Sequence, residues 1–575
     1  MYTVAEQLVD ILERAGVRRL YGIVGDSLNP ITDAIHHKKT IEWIHVRHEE
    51  VAAFAASAEA QMTGSLAVCC GSAGPGNLHL INGLFDAHRT RVPVLAIASH
   101  IPQSEIGTNY FQATHPEMLF RECSCYDELI SDPSQVARVM QTAIQHAISL
   151  NDVAVVVIPG DVAGMKAEKL HWMHPPVVLQ AKQSPNEEAI QCGAKMLNEA
   201  KKVTLFCGAG CAGYEKQVID LAQRLNSPVA YTWRGKEYFE HDNPFSMGMT
   251  GLLGWGGAYE AMFDSDLVVM LGTDFPYTAF IPDHLPIIQV DARGEVLGRR
   301  GRLDLGINGD VSMVIEHLMP LVEEKTDASF LKVCQERHRH QLKRLNAYIA
   351  GQGDDYPLRP EQLTDAINRY ANQDALFTID TGTPCLWAAR YLSGTGQRKF
   401  IASFHHGTMA NAMPMAIGLL CTDPKRQVVS LCGDGGLSML LGDLITIVQY
   451  KLPVKLVVYD NDALDFIIME MQSAGMEPWQ VDLHNPSYAS LADSIGIKGF
   501  RLTKASQVDS VVQEFLAHPG PALLDAVVNA EAIALPPAIS LAQVTGFGKS
   551  MIKEALHGDL KHVVRTLLGN RKILL

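Results

Sequence analysis

The tetrad Gly433-Asp434-Gly435-Gly436 constrains this chain more than any other feature, because of what flanks it. It follows the apolar run Val428-Val429-Ser430-Leu431-Cys432, which reads as a buried strand. It precedes a stretch from Ser438 to Gln449 that reads as a helix. Pro453 then opens a second apolar run, Val454 to Tyr459, ending in Asp460-Asn461. The unit is strand–helix–strand, so Asp434 and Asn461 are expected at the carboxyl ends of neighbouring parallel strands, where open α/β sheets bind ligands. A carboxylate and an amide oxygen suit Mg2+, which keeps near-octahedral oxygen coordination and takes further ligands from a diphosphate. Gly435 and Gly436 let the backbone approach that diphosphate, and the following helix offers it unpaired N–H groups. A bare Gly-Asp-Gly turn is common; the same turn with an Asn at this spacing, between two apolar runs, is a strong signal.

A chain of 575 residues is too long for one core, and roughly three to four domains are expected. The N-terminus lacks the basic and apolar regions of a signal peptide, and no apolar run is long enough to cross a bilayer. The net charge of −15 weighs against nucleic acid as a main partner. The eleven cysteines lack C-x2-C spacing and read as reduced thiols of a cytoplasmic protein. Residues 1 to about 180 alternate helix and strand patterns: strand Leu66–Cys70, loop Gly71–Asn77, helix Leu78–His88, then strands Val92–Ala98 and Val153–Ile158. That alternation predicts a parallel sheet covered by helices on both faces. A Pro-bearing stretch from His174 to Asn186 reads as a linker. A second alternating block covers about 185 to 325, a polar, charged stretch runs from Glu323 to Asp355, and a third block covers about 356 to 530.

Other segments carry weaker signals on their own. Arg47-His48-Glu49-Glu50 opens an Ala-rich helix, and glutamates in a first turn are usually surface residues favoured by the helix dipole. Gly71-Ser72-Ala73-Gly74-Pro75-Gly76-Asn77 reads as a tight strand–helix connection, and Phe111-Gln112 as loop. Gly208-Ala209-Gly210-Cys211-Ala212-Gly213 matches G-x-G-x-x-G, but Pro228-Val229-Ala230-Tyr231 ends without the acidic residue a standard NAD site wants. Asp291 ends the strand Ile287–Val290, where a carboxylate can hold ribose hydroxyls. His405-His406 has no partner ligands at useful metal spacing.

Taken together, these segments resemble the thiamine diphosphate-dependent enzymes. Over nearly the whole chain the likeness is to the quinone-reducing bacterial pyruvate oxidases among them. It is carried by Arg47 to Ala56, Asn77 to Asp86, Met249 to Leu252, Trp387 to Leu392 and Met409 to Pro414. The resemblance implies an α/β fold of three doubly wound parallel-sheet domains. These would be a pyrimidine-binding domain over 1–180, an FAD-binding middle domain over 185–325 and a diphosphate-binding domain over 356–530. It implies that Glu49 hydrogen-bonds a ring nitrogen of the aminopyrimidine and drives it into its imino tautomer. Mg2+ would be held by Asp434, Asn461 and the backbone carbonyl of Ala463. Gly407, Thr408, Met409, Gly435, Gly436, Asp462, Leu464 and Asp465 would line the thiamine diphosphate. Phe111 and Gln112 would face the substrate, Ile467 would bend the cofactor, and Phe466 would stand on its flavin side. FAD would be held by Arg234, Thr250, Gly251, Leu252, Leu253, Thr273, Asp274, Phe275, Pro276, Tyr277 and Asp291. Because a neighbouring subunit brings the Gly71–Asn77 loop in that family, the minimum active unit would be a homodimer, with a tetramer expected.

The implied reaction is oxidative decarboxylation of pyruvate to acetate and CO2, with electrons passing through FAD to a membrane quinone. The tail, 531–575, fits that branch. From Lys549 onward it carries Lys549, Lys553, Lys561, Arg565, Arg571 and Lys572 against Glu554 and Asp559, with apolar residues at helical spacing broken near Gly558. A basic amphipathic helix can lie on an anionic membrane surface, which predicts a cytoplasmic protein held peripherally at the inner face of the cell membrane. An ordinary helix packed on the body is the alternative. Four positions depart from the pattern: Asp465 stands where Gly is usual, Asp460 replaces an Asn, Ala113 an acidic residue and His405 an Asn. These keep two other readings open: an acetolactate-synthase-like carboligase with structural FAD, and a catalytically altered or silent paralogue.

Overall fold

The computed structural model describes residues 2–168, 181–350, 353–354, 357–532, 541–556 and 570. Most of the predicted linker and the tail beyond Leu556, apart from Asn570, lie outside them. Three six-stranded sheets form, and all their neighbouring strands run parallel. The first holds β1 (Arg19–Gly22), β2 (Glu42–His45), β3 (Ala67–Gly71), β4 (Val94–His100), β5 (Tyr126–Leu129) and β6 (Val153–Pro159). The second holds β7 (Val203–Cys207), β8 (Val229–Tyr231), β9 (Ser246–Met249), β10 (Leu267–Leu271), β11 (Ile287–Asp291) and β12 (Leu305–Asn308). The third holds β13 (Leu376–Ile379), β14 (Lys399–Ala402), β15 (Val428–Gly433), β16 (Lys455–Asp460), β17 (Lys498–Leu502) and β18 (Ala522–Val527). Central strands β4 and β6 are buried along their whole length, which is why their sequences run apolar rather than alternating.

The first and third sheets share one strand order, β2-β1-β3-β4-β6-β5 and β14-β13-β15-β16-β18-β17. The middle sheet differs: β12-β11-β10-β7-β8-β9, the doubly wound order of dinucleotide-binding domains. Each order has one reversal point, where the loops leaving two adjacent strands diverge and open a crevice. These points fall between β1 and β3, between β7 and β10, and between β13 and β15. The Gly-rich segment and the Gly-Asp-Gly-Gly tetrad leave from two of them; the loop expected over Gly71–Asn77 is shorter, because the helix expected from Leu78 already begins at Pro75 and spans Pro75–Thr90.

Two readings need correction. The helix expected over Ser438–Gln449 is broken: one helix spans Asp434–Met439, a 3-10 turn Leu441–Asp443, and a second helix Leu444–Gln449. The break turns Asp443 inward, where its Oδ1 accepts the Arg47 backbone N–H (2.8 Å) and the Thr446 hydroxyl (2.7 Å). The polar stretch after Glu323 contains a helix, Ser329–Ile349, docked by a narrow stripe. Leu331, Cys334 and Tyr348 are buried on it, and Leu345 touches the cores of both the second and the third sheet. So few apolar residues at wide spacing do not stand out among so many charges.

The first and third sheets are joined by helices. The Ala-rich helix Glu49–Thr63 crosses Ala412–Thr422 within one hydrophobic core. A Cβ added at Gly418 would sit 2.2 Å from the Ala55 carbonyl oxygen. The helix Leu541–Leu556 packs on Asp465–Ser473 through Gly546, whose Cβ would meet the Ser473 carbonyl, and the Ser550 hydroxyl donates to the Met476 carbonyl (2.8 Å). No helix among the described residues is long and apolar enough to cross a membrane. Gly418→Val should cost about 1–3 kcal/mol through overpacking and lower the calorimetric unfolding midpoint. Gly442→Ala, with nothing within 4 Å of the added carbon, should leave it in place; equal midpoints for the two variants would show that the crossing is not tight.

Candidate active site

The tetrad and Asn461 meet at the end of the third sheet. β15 and β16 are hydrogen-bonded neighbours, and the residues following them touch: the Asn461 N–H donates to Asp434 Oδ2 (3.1 Å). Asp434 Oδ1 accepts the Gly435 N–H (2.8 Å), which starts the helix at Asp434 itself. Asn461 Oδ1 accepts the Ala463 N–H (3.2 Å), which draws the loop back beside Asp434; Asp434, Asn461 and the Ala463 carbonyl are the oxygen donors this loop offers. An all-oxygen set of this kind fits Mg2+. Asp462 has φ +55 and its carbonyl accepts the Leu483 N–H (2.7 Å), while the Leu464 N–H donates to Val481 (2.8 Å). The loop is thus pinned by a segment far along the chain.

Two of the three tetrad glycines, Gly435 and Gly436, are required by close approach. A Cβ at Gly435 would lie 2.8 Å from the Leu464 side chain and 3.4 Å from Met409. One at Gly436 would lie 1.8 Å from Asp380 Oδ2, a buried oxygen with no hydrogen-bond partner among the described residues. Backbone held open beside a divalent-ion set is the form of a diphosphate cradle. The acids here are crowded out of water. Burial pushes Asp380 up to about 7, Asp460 up to about 6 and Asp465 up to about 8, and raises Asp434. The charge of Asp434 adds to the shift of Asp465, which begins the helix Asp465–Ser473. Burial and the neighbouring Asp434 both disfavour the charged form of Asp465, the residue that stands where Gly is usual. On the same helix Phe466 is half-buried and Ile467 exposed.

The remaining predicted residues fall in two other places. Glu49, first residue of its helix, is buried: its Oε2 lies 2.9 Å from His79 Nδ1, and its Oε1 would lie 3.0 Å from a Cβ at Gly76. Gln112, at φ +62, lies against Gly74 of the same glycine loop, and Phe111 is 75% exposed. Gly407 adopts φ +71 and leads to Thr408, whose hydroxyl accepts from Asn82 Nδ2 (2.9 Å); His406 Nε2 donates to Asn82 Oδ1 (2.8 Å). His406 is thus a domain tie and not a metal ligand. No hydrogen bond or ion pair among the described residues joins Glu49 to Asp434. The chain displays two half-sites.

In the middle domain the Thr250 hydroxyl is buried without a partner, and Gly251, at φ +102, lets the chain pass the Phe275 ring, 2.7 Å from where its Cβ would be. Leu252 is half-buried; the Leu253 and Gly254 carbonyls accept from Arg390 of the third domain (3.4 and 3.2 Å). Pro276 and Tyr277 are exposed. Asp291 Oδ1 accepts the Arg293 N–H (2.9 Å), and both Asp274 oxygens are engaged, by Arg299 (3.2 Å) and Arg300 (3.0 Å). Asp274 therefore secures two arginines and has no free oxygen edge. The G-x-G-x-x-G segment is loop packing: Cβ atoms at Gly208 and Gly210 would strike Gly272 and Thr273, which crosses above them. Arg234 reaches the Thr90 carbonyl of the first domain (3.5 Å) and lies in the field of Asp86, raised to about 6 by burial, and of His405, lowered to about 4 by burial and by Arg234. Arg234 of the middle domain thus meets the first domain at Thr90 and feels charges of the first domain.

Sequence reading missed His79 and Asn485. Asn485 Nδ2 donates to Asp434 Oδ2 and to Asp460 Oδ1 (both 2.8 Å), and the Tyr488 hydroxyl donates to the Asp434 carbonyl (3.1 Å). No local pattern marks Asn485, because its partners lie on other strands. Asn485→Leu should weaken Mg2+-supported thiamine diphosphate binding about 10–100-fold, read by titration calorimetry; unchanged affinity would remove Asn485 from the site.

Family comparisons agree with this geometry. Residues 2–118, 190–318 and 380–526 match the N-terminal binding domain, the central domain and the C-terminal binding domain of thiamine pyrophosphate enzymes. The chain is 31% identical to a pyruvate oxidase of Lactiplantibacillus plantarum over 91% of its own length and 88% of that protein's. It is 28% identical to the large subunit of acetolactate synthase isozyme 1 of Escherichia coli, over 92% and 94%. It is 52% identical to an uncharacterized 42.6 kDa protein of Pseudomonas amyloderamosa, over 62% of this chain and 90% of that one. Three α/β domains in this order, with glycines, acid and amide converging where a diphosphate and its metal would bind, belong to one family: the chain is a thiamine pyrophosphate enzyme.

Proposed function

We propose that this enzyme oxidatively decarboxylates pyruvate to acetate and CO2, using thiamine diphosphate, Mg2+ and FAD, and passes the electrons to a membrane quinone. The reading rests on the junction around Arg234. That guanidinium, on the middle domain, meets the Thr90 carbonyl of the first domain and acts electrostatically on Asp86 and His405, which supports a flavin held by Thr250, Gly251 and Asp291 near the thiamine site. The likeness to a pyruvate oxidase of Lactiplantibacillus plantarum supports the same substrate. When bound, thiamine diphosphate supplies the electron sink for decarboxylation and FAD the two-electron acceptor.

The chain's own residues have separable tasks in this scheme. Asp434, Asn461 and the Ala463 carbonyl hold the metal that neutralises the diphosphate. Glu49 holds a proton at the pyrimidine ring. Phe111, Gln112, Phe466 and Ile467 wall the substrate and exclude water. Glu49 and Asp434 sit in separate hydrogen-bond clusters, and a homodimer that pairs one subunit's half-site with its partner's is the expected active unit, within a tetramer. The tail's described helix, Leu541–Leu556, has Ile552 62% exposed and Met551 buried, while Lys561, Arg565, Arg571 and Lys572 lie outside the described residues. This is the part read as meeting an anionic lipid surface and its quinone.

Anaerobic addition of pyruvate to the holoenzyme should bleach the oxidised-flavin band near ~450 nm, and a quinone in anionic vesicles should restore it. A flavin that pyruvate leaves oxidised while acetolactate accumulates would make the enzyme a carboligase. Asp465 fills the space at the start of its helix beside the metal loop. Asp465→Gly should therefore raise kcat/KM for pyruvate by up to about tenfold, about 1.4 kcal/mol off the barrier; unchanged kinetics would clear Asp465 of any restraint.

A further inference from the structure

We propose that His79 is the positioning residue that orients Glu49 and carries protons between it and solvent. The inference rests on Glu49 acting on bound thiamine diphosphate, and it does not depend on which keto acid is used. His79 Nδ1 lies 2.9 Å from Glu49 Oε2, and the two side chains differ sharply in access to water: 44% exposed for His79 and 7% for Glu49. A buried carboxylate that must gain and lose a proton needs a path to solvent, and this imidazole spans the distance.

The surroundings settle the geometry. The His79 ring stacks on His48, with centroids 4.3 Å apart and planes 24° apart, which holds its orientation. His48 Nδ1 accepts the Glu50 N–H (3.2 Å) as the helix cap, so that nitrogen carries no proton. Glu50 is occupied elsewhere: its Oε1 accepts from Asn82 (2.7 Å). The other ionisable groups facing this cluster are Asp443, in the field of His48, and Cys70, a buried thiol raised by burial and by Glu49. Neither touches His79 or competes for its Nδ1. With Glu49 ionised, His79 donates its Nδ1–H to Oε2. Glu49 Oε1 is left facing Gly76 and the glycine loop, where the pyrimidine side of the cofactor is expected.

Proton balance is simple. Solvent delivers a proton to His79 Nε2 as the Nδ1 proton passes to Glu49 Oε2. The imidazole ends as its other neutral tautomer and the carboxylate as a neutral acid. The reverse transfer restores both. No other bond changes and no redox partner is needed. A histidine suits this step because its two ring nitrogens exchange donor and acceptor roles near neutral pH.

The test uses holoenzyme without substrate. The exchange of the thiamine C2 proton for deuterium would be followed by quenched-flow NMR from pH 5.5 to 8.5, with cofactor affinity by calorimetry and the melting temperature of the cofactor-free protein as controls. His79→Asn keeps a donor near the Nδ1 position and has no second nitrogen to relay. Melting temperature and cofactor affinity should stay within threefold-equivalent limits of the wild type, while exchange slows by about 10–100-fold and loses its pH dependence. Imidazole added to His79→Ala should restore part of the lost rate. Exchange in His79→Asn within about threefold of wild type, or an Ala variant that exchanges normally, would overturn the relay. Wild-type exchange no faster than free cofactor would instead remove the Glu49 reading itself, and this inference with it.

Discussion

The bare backbone contact between Gly418 and the Ala55 carbonyl is the constraint on which the site's geometry depends. Helices approach this closely only when side chains are absent at the crossing, and the run Val51 to Ala60 is almost wholly small or apolar for that reason. The crossing locks the first and third sheets into one body. Glu49 and Asn82 on one side, and Thr408 and Asp443 on the other, then keep fixed relations through the Asn82–Thr408 and Arg47–Asp443 hydrogen bonds. An added methyl group at the crossing would shift both half-sites together, far from any reacting atom.

Electrostatic demand at the third-domain site points the same way. Asp380, Asp434, Asp460 and Asp465 are all buried near the tetrad, and all are raised above the ordinary carboxylate range chiefly by loss of water. Asn485 relieves part of the strain by donating to Asp434 and Asp460 at once. A divalent cation would relieve most of the rest, since charge brought into low dielectric lowers the cost of ionising every acid around it. The cluster is unfavourable for a bare fold and suited to a metal–diphosphate pair. Elsewhere, burial and the neighbouring Arg234 lower His405, which favours its neutral form beside that arginine.

Much of the fold was legible because parallel strands buried on both faces spell unbroken apolar runs, as in Val153–Ile158 and Val428–Cys432. The errors have physical causes. The helix Ser329–Ile349 docks through a few residues in a highly charged sequence, so periodicity could not isolate it. The break between Met439 and Leu444 is imposed from another domain, by the Arg47 N–H that Asp443 accepts. The glycines of the G-x-G-x-x-G match have a purpose that only packing reveals, because Gly272 and Thr273 press onto Gly208 and Gly210.

The sequence by itself determined that the tetrad and Asn461 come together at the ends of neighbouring strands. Asp434, Asn461 and the tetrad glycines are separated by a single strand–helix–strand unit, and such local connections have few possible geometries. Tertiary structure decided the rest. Strand order fixed which loops share a crevice, and it distinguished the middle sheet from its neighbours, though all three read alike as alternating patterns. It brought Asn485 to Asp434 and His79 to Glu49, pairs whose proximity depends on contacts between elements that no local spacing records.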